Sequence, residues 1–174
     1  MDVRLKYCPQ FKYYYQIRSL YEPFIMFTQN KNFRSKVCNT DIYGFRFNNN
    51  VNLENYENIF DRNNHYKSDK AALIGSSTSF GIGVTEDKKT IASLLSHKTK
   101  YDFFNLGGKG FSGLQEIIVF QSVINKMKNL KKIIIVSGIN DLYLFNSVKY
   151  HNFTGPFYYN QQYLDAIINK NIGI

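Results

Sequence analysis

The 174-residue chain contains no apolar run of about 18 residues, the length a membrane-spanning helix needs, so no membrane span is expected. Its N-terminus, MDVRLKYCPQFKYYYQ, lacks the apolar core of a signal peptide, and a cytoplasmic location is the expectation. Cysteine is scarce: Cys8 and Cys38 lie far apart, which argues for two reduced thiols over a single bridge. Tryptophan is absent, but 14 Tyr and 15 Phe supply enough apolar surface for one domain with its own core. Acidic residues are outnumbered, 13 against 22 Lys and Arg, for a net charge of +9. Lysine attracts phosphate and tyrosine stacks on bases, so this balance invites a nucleic-acid reading. The densest basic stretch, Lys126, Lys128, Lys131 and Lys132, carries no recognition motif, and a solvated basic surface without a nucleic-acid partner is the expectation.

What is present is organised around Ala71–Val84, AALIGSSTSFGIGV. The apolar run Ala71–Ile74 ends at Gly75 and reads as a buried strand. The small hydroxylated residues that follow, Ser76 to Ser79, sit where open α/β sheets place their ligands. Asp87–Lys98 fits a helix with Ile91, Leu94 and Leu95 on one face. Tyr101–Leu106 reads as a second strand, closed by Gly107, Gly108 and Gly110, and Leu114–Met127 as a second helix. Lys131–Ser137, KKIIIVS, is a β-branched run expected to be a strand buried on both faces, and Gly138–Asp141 closes it. Strand, helix, strand, helix, strand means right-handed crossovers and a parallel α/β sheet. Residues 67–174 are assigned to this domain. Residues 1–66, interrupted at Pro23 and Gly44, are expected to be an irregular segment packed on it, with Tyr21–Gln29 and Ile42–Asn48 short strands or extended pieces.

In a parallel sheet the C-terminal ends of the strands share one edge, so the turns GSSTS, NLGGKG and GIND should converge. The first offers a serine hydroxyl, the second backbone N–H groups that glycines leave accessible, the third the amide of Asn140. A nucleophile beside uncharged donors is the constellation for acyl transfer, because the donors stabilise the oxyanion of a tetrahedral intermediate.

These residues resemble the SGNH (GDSL-like) hydrolase family. GSSTSFGIGV resembles its first block, with Ser77 at the nucleophile position. NLGGKGFSGLQ resembles the second, where an N-x-x-x-x-G spacing starts at Asn105 and places the oxyanion-hole glycine at Gly110. GIND matches the third block, G-x-N-D, with Asn140 as the oxyanion-hole amide. The resemblance implies a flavodoxin-like three-layer α/β/α fold with a parallel sheet and hydrolysis of a small-molecule or carbohydrate ester, with no cofactor and no metal. Two departures stand out: Ser76 replaces the family's Asp, and the last block, D-x-x-H, is missing. His65 precedes the first strand, His97 ends a helix that runs away from the active edge, His151 follows Asn140 too closely, and Asp165 is followed three positions later by Ile168. Three core strands are legible where that fold has about five. The expectation is therefore the N-terminal portion of such a domain, truncated after the third core strand and weak or inactive as an esterase. The alternative is a non-catalytic remnant or binding module of the same fold.

Two rival motifs fail. GKGFSG (Gly108–Gly113) matches the dinucleotide G-x-G-x-x-G, but no acidic residue follows about twenty positions on, where the ribose partner belongs. GSSTSFG lacks the G-K-[ST] ending of a phosphate loop. The bland readings of the three site residues are a serine that caps a turn or helix at Ser77, a tight-turn glycine at Gly110 and a turn asparagine at Asn140.

Overall fold

The computed structural model describes residues 2–48, 57–64 and 69–146. At its centre is strand β3 (Lys70–Gly75), whose six residues are all buried. Earlier in the chain come α1 (Val3–Tyr7), α2 (Phe11–Tyr14) and the antiparallel pair β1 (Ser19–Glu22) and β2 (Met26–Gln29). After β3 follow α3 (Ser77–Phe80), α4 (Ile91–Lys98), β4 (Asp102–Asn105), α5 (Gly113–Val123), β5 (Leu130–Val136) and α6 (Ile139–Asn146).

β3 pairs in parallel with β4 on one side and β5 on the other, so the order across the sheet is β4-β3-β5. The chain passes from β3 to one neighbour and then crosses to the other, the kind of reversal at whose C-terminal strand ends open α/β sheets place their ligands. Side chains alternate across the sheet as a pleated strand requires. Ala72, Ile74 and Phe104 pack with Val119 and Val123 of α5 on one face, while Ala71, Leu73 and Phe103 pack with Ala92 of α4 on the other. The sheet therefore has helices on both sides.

Local chemistry sets the helix starts. The sequence predicts the first long helix from Asp87, but Asp87–Lys89 is a single 3₁₀ turn and α4 begins after Thr90, whose hydroxyl accepts from the Ser93 N–H at 3.2 Å. At α5 the Gln115 side chain reaches back to accept from the Ser112 N–H at 3.0 Å, half of a capping box.

β5 departs from expectation. Its sequence predicts burial on both faces, yet most of it is exposed, Ile135 to 66 %. β5 is an edge strand, and among the described residues no further strand pairs with it. A continuous apolar run specifies a strand that prefers cover, not the position it takes in the sheet.

The segment before β3 is built into the core. Phe27, Phe45 and Phe47 join the α5-side cluster, and Tyr14, Ile17, Val37 and Cys38 enclose Phe80 of α3. Arg46, fully buried, binds Asp87 at 2.8 Å and donates to the carbonyls of Phe80, Gly81 and Val37. Cys8 and Cys38 are free thiols, and burial pushes the Cys38 thiol up to about 12.

Candidate active site

The turn after β3 is tight because its residues are small. A Cβ on Gly75 would overlap both the Ser79 hydroxyl and the Val136 carbonyl, so only glycine lets α3 fold back against the strand end. Ser79 is spent on this turn: it is buried, and its hydroxyl donates to the Ile74 carbonyl at 3.3 Å. Ser76 is the buried residue preceding α3, and Ser77 is the helix's first residue. Ser77 is half-buried, and its hydroxyl has no hydrogen-bond partner among the described residues. Of the three serines here it is the one left available.

The turn after β4 lies against the first. The Gly108 N–H donates to the Gly75 carbonyl at 3.0 Å, and a Cβ on Gly107 would overlap the backbone of Ser79 and Phe80. Asn105 is fully buried at the end of β4, and its side-chain oxygen accepts from the Gly107 N–H at 3.0 Å. Gly110 needs glycine for a different reason. Its φ is +81°, while a Cβ there would find only the Phe27 ring at 3.7 Å. Its N–H has no acceptor among the described residues.

The turn after β5 reaches the second turn through side chains. GIND is not a plain turn: α6 begins at Ile139, so Asn140 and Asp141 occupy its first turn. The Asn140 amide donates to the Phe111 carbonyl at 2.7 Å, one residue from Gly110. Both Asp141 carboxylate oxygens accept from the Gly113 N–H, at 2.9 and 3.0 Å. Asp141 is thus a strut between α6 and the start of α5.

Among the described residues the one histidine is His97, exposed in the last turn of α4 just before β4 begins, at the edge opposite these turns. His65, His151 and Asp165 lie outside the described residues. No group of three or more His, Cys, Asp or Glu that could hold a metal ion occurs among the described residues.

Sequence alone marks Asn105 only as the start of the N-x-x-x-x-G spacing and does not single out the second buried polar group at this edge, Glu116. Among the described residues the Asn105 amide nitrogen has no partner, and one Glu116 carboxylate oxygen has none. Burial raises the Glu116 pKa and the nearby Asp141 charge adds to this, while a hydrogen bond from the Ser137 hydroxyl opposes it. A glutamate one turn inside a helix start reads as solvated. Only its place on the sheet-facing side, beside Gln115 and Val119, reveals otherwise.

Lys109 and Arg46 bind these turns to the N-terminal segment. Lys109 donates to the Ile17 carbonyl at 2.9 Å, and burial lowers its pKa. No helix of the described residues is long and apolar enough to cross a membrane. Compared with protein-family models and with curated proteins, the chain matches none.

Proposed function

We propose that this edge is a serine ester-hydrolase site of the SGNH type, acting on a small-molecule or acylated-carbohydrate ester, in a flavodoxin-like sheet. Ser77 is the nucleophile, and the Gly110 N–H and the Asn140 amide form the oxyanion hole. The observation that carries the reading is the contact of three small-residue turns at the strand-order reversal, with the Ser77 hydroxyl and Gly110 N–H uncommitted among the described residues. In the reaction the Ser77 oxygen would attack the ester carbonyl, and the carbonyl oxygen would gain negative charge between the two donors. The serine proton needs an acceptor, and His97 lies at the wrong edge. Among the described residues no histidine reaches this edge, so turnover without an added base is expected to be slow.

A second reading, a binding module without turnover, is favoured by one contact. The Asn140 amide already donates to Phe111, so one of its N–H groups serves the turn itself. A fluorophosphonate, which reports nucleophilic serine, separates the two. With imidazole added as a proton acceptor, the hydrolase reading expects an adduct on the Ser77 peptide by mass spectrometry, diminished by Asn140→Ala. Absence of an adduct, or one on another serine, would leave the binding reading.

A further inference from the structure

The basic stretch that carries no motif in the sequence gains company in the fold. Strands of a parallel sheet all begin at one edge, here the edge opposite Ser77, Gly110 and Asn140, and the helices leading into β4 and β5 end there. The register sets the level: Lys70 of β3 pairs with Asp102 of β4 and with Leu130 of β5. Lys98, in the last turn of α4, and Lys100 just past it therefore join Lys128, Lys131 and Lys132, at and before the start of β5. Tyr101 shows the convergence directly. Its ring centre lies 5.5 Å from the Lys100 ammonium and 5.6 Å from that of Lys132.

All five lysines are exposed, and none forms an ion pair among the described residues. Helix polarity accounts for only one of them. A cation is favoured in the last turn of a helix, where Lys98 sits, but the other four lie outside α4 and α5. The strand starts supply two carboxylates, Asp69 and Asp102, and the second is engaged by the buried Lys70 at 3.1 Å. Like charges gathered on one face repel, and a surface of opposite sign relieves that repulsion.

The details favour a charged plane over a nucleic acid. The Tyr101 ring is already taken by two ammonium groups, so it is no open platform for a base. Helix α4 arrives by its C-terminal end, and so does α5, so neither offers the N-terminal N–H groups that grip a single phosphate. What remains is charge spread at one level of the sheet. We propose that this edge docks on a bilayer surface that carries anionic phospholipid, held by attraction to the headgroups. The proposal does not rest on the hydrolase reading, whose residues lie at the opposite edge.

The full chain is sedimented with phosphatidylcholine vesicles containing about one-third phosphatidylserine. Binding is expected near physiological ionic strength, with none to pure phosphatidylcholine and release in about 1 M salt. Lys98→Gln, Lys100→Gln and Lys128→Gln together should weaken binding about 100-fold, at about fivefold for each lysine. Lys6→Gln, Lys12→Gln and Lys36→Gln together remove the same charge from exposed positions on the N-terminal segment and should leave binding nearly unchanged. Lys131→Gln with Lys132→Gln is an independent variant, expected to weaken binding about 25-fold. Far-UV circular dichroism checks folding, and if one edge variant is unfolded the other decides. The proposal is overturned if anionic vesicles do not bind the chain, or if pure phosphatidylcholine binds it as well. It is equally overturned if the N-terminal triple variant loses as much as a folded edge variant, which would make net charge alone responsible. Duplex DNA that strips the chain from the vesicles at equal phosphate concentration would make nucleic acid the partner and also refute it.

Discussion

Arg46 has left water entirely, and its charge is met by Asp87, the Tyr14 phenol and three backbone carbonyls. Two of those carbonyls, Phe80 and Gly81, close α3, so the guanidinium joins the N-terminal segment to the helix that begins with Ser77. Asp87 also accepts from the Asn39 side chain at 2.6 Å, but one amide does not replace a cation. Arg46→Met should cost about 3–5 kcal/mol, because it strands a buried carboxylate. Arg46→Met combined with Asp87→Leu should cost less than the single change, read from urea unfolding; a double variant as damaged as the sum of both singles would deny the pairing. Asp41 provides a pH-dependent counterpart. Its carboxylate accepts from the N–H groups of Tyr43, Phe45 and Ile59 at 2.9, 2.8 and 3.0 Å, yet burial outweighs them and pushes its pKa up to about 6. A raised carboxyl pKa means the folded chain holds the proton more tightly than the unfolded one. Its contribution to stability is complete below about pH 3.9 and is lost as pH rises through about 6, amounting to roughly 3 kcal/mol at most. The stability difference between the unsubstituted chain and Asp41→Asn should therefore shrink between pH 4 and pH 7, and a difference that grows would reverse the sign assigned here.

At the scale of elements, the two glycines of the β4 turn separate steric from conformational demand. Gly107→Ala drives a methyl into the backbone of α3 and should destabilise by about 1–3 kcal/mol or more, since backbone cannot step aside. Gly110→Ala has room and pays only for a left-handed φ, about 1–2 kcal/mol, while its N–H remains in place. Thermal melts of both should rank Gly107→Ala as the more damaging; the reverse order would contradict the close approach of the two turns. The sequence carried β3, β4, β5 and α5 to within a few residues, because apolar runs bounded by glycine and helical spacing are strong local signals. It did not reveal α3, which at four residues is too short for any periodicity. Nor did it separate Tyr21–Gln29 into strand ends flanking a turn, because Phe24 and Met26 hold left-handed angles without glycine. Gly110 and Asn140 were legible as turn residues, but the contact of Asn140 with Phe111 depends on where β5 and α6 settle.

For the whole molecule, three turns distant in sequence meet because a parallel sheet brings all its C-terminal strand ends to one edge. The N-terminal segment braces that edge through Arg46, Lys109 and the Phe27–Phe111 ring contact. On the far side, β5 and α6 present Ile135, Ile139, Leu142 and Phe145 to solvent, the last to 74 %. The exposure of β5 is not legible in its sequence for this reason: how much of an edge strand is covered depends on what packs beyond it, which its own residues do not encode. The central proposal, that Ser77 is a nucleophile served by two oxyanion donors and by no histidine among the described residues, is tested most directly by p-nitrophenyl acetate hydrolysis. Initial rates are compared for the unsubstituted chain and Ser77→Ala as imidazole is added. Without imidazole the two rates should nearly coincide, because an unassisted hydroxyl attacks poorly. Imidazole should then open a gap that depends on Ser77 and narrows about 100-fold or more in Asn140→Ala, the loss typical for one oxyanion donor. Rates that superimpose at every imidazole concentration would contradict the claim.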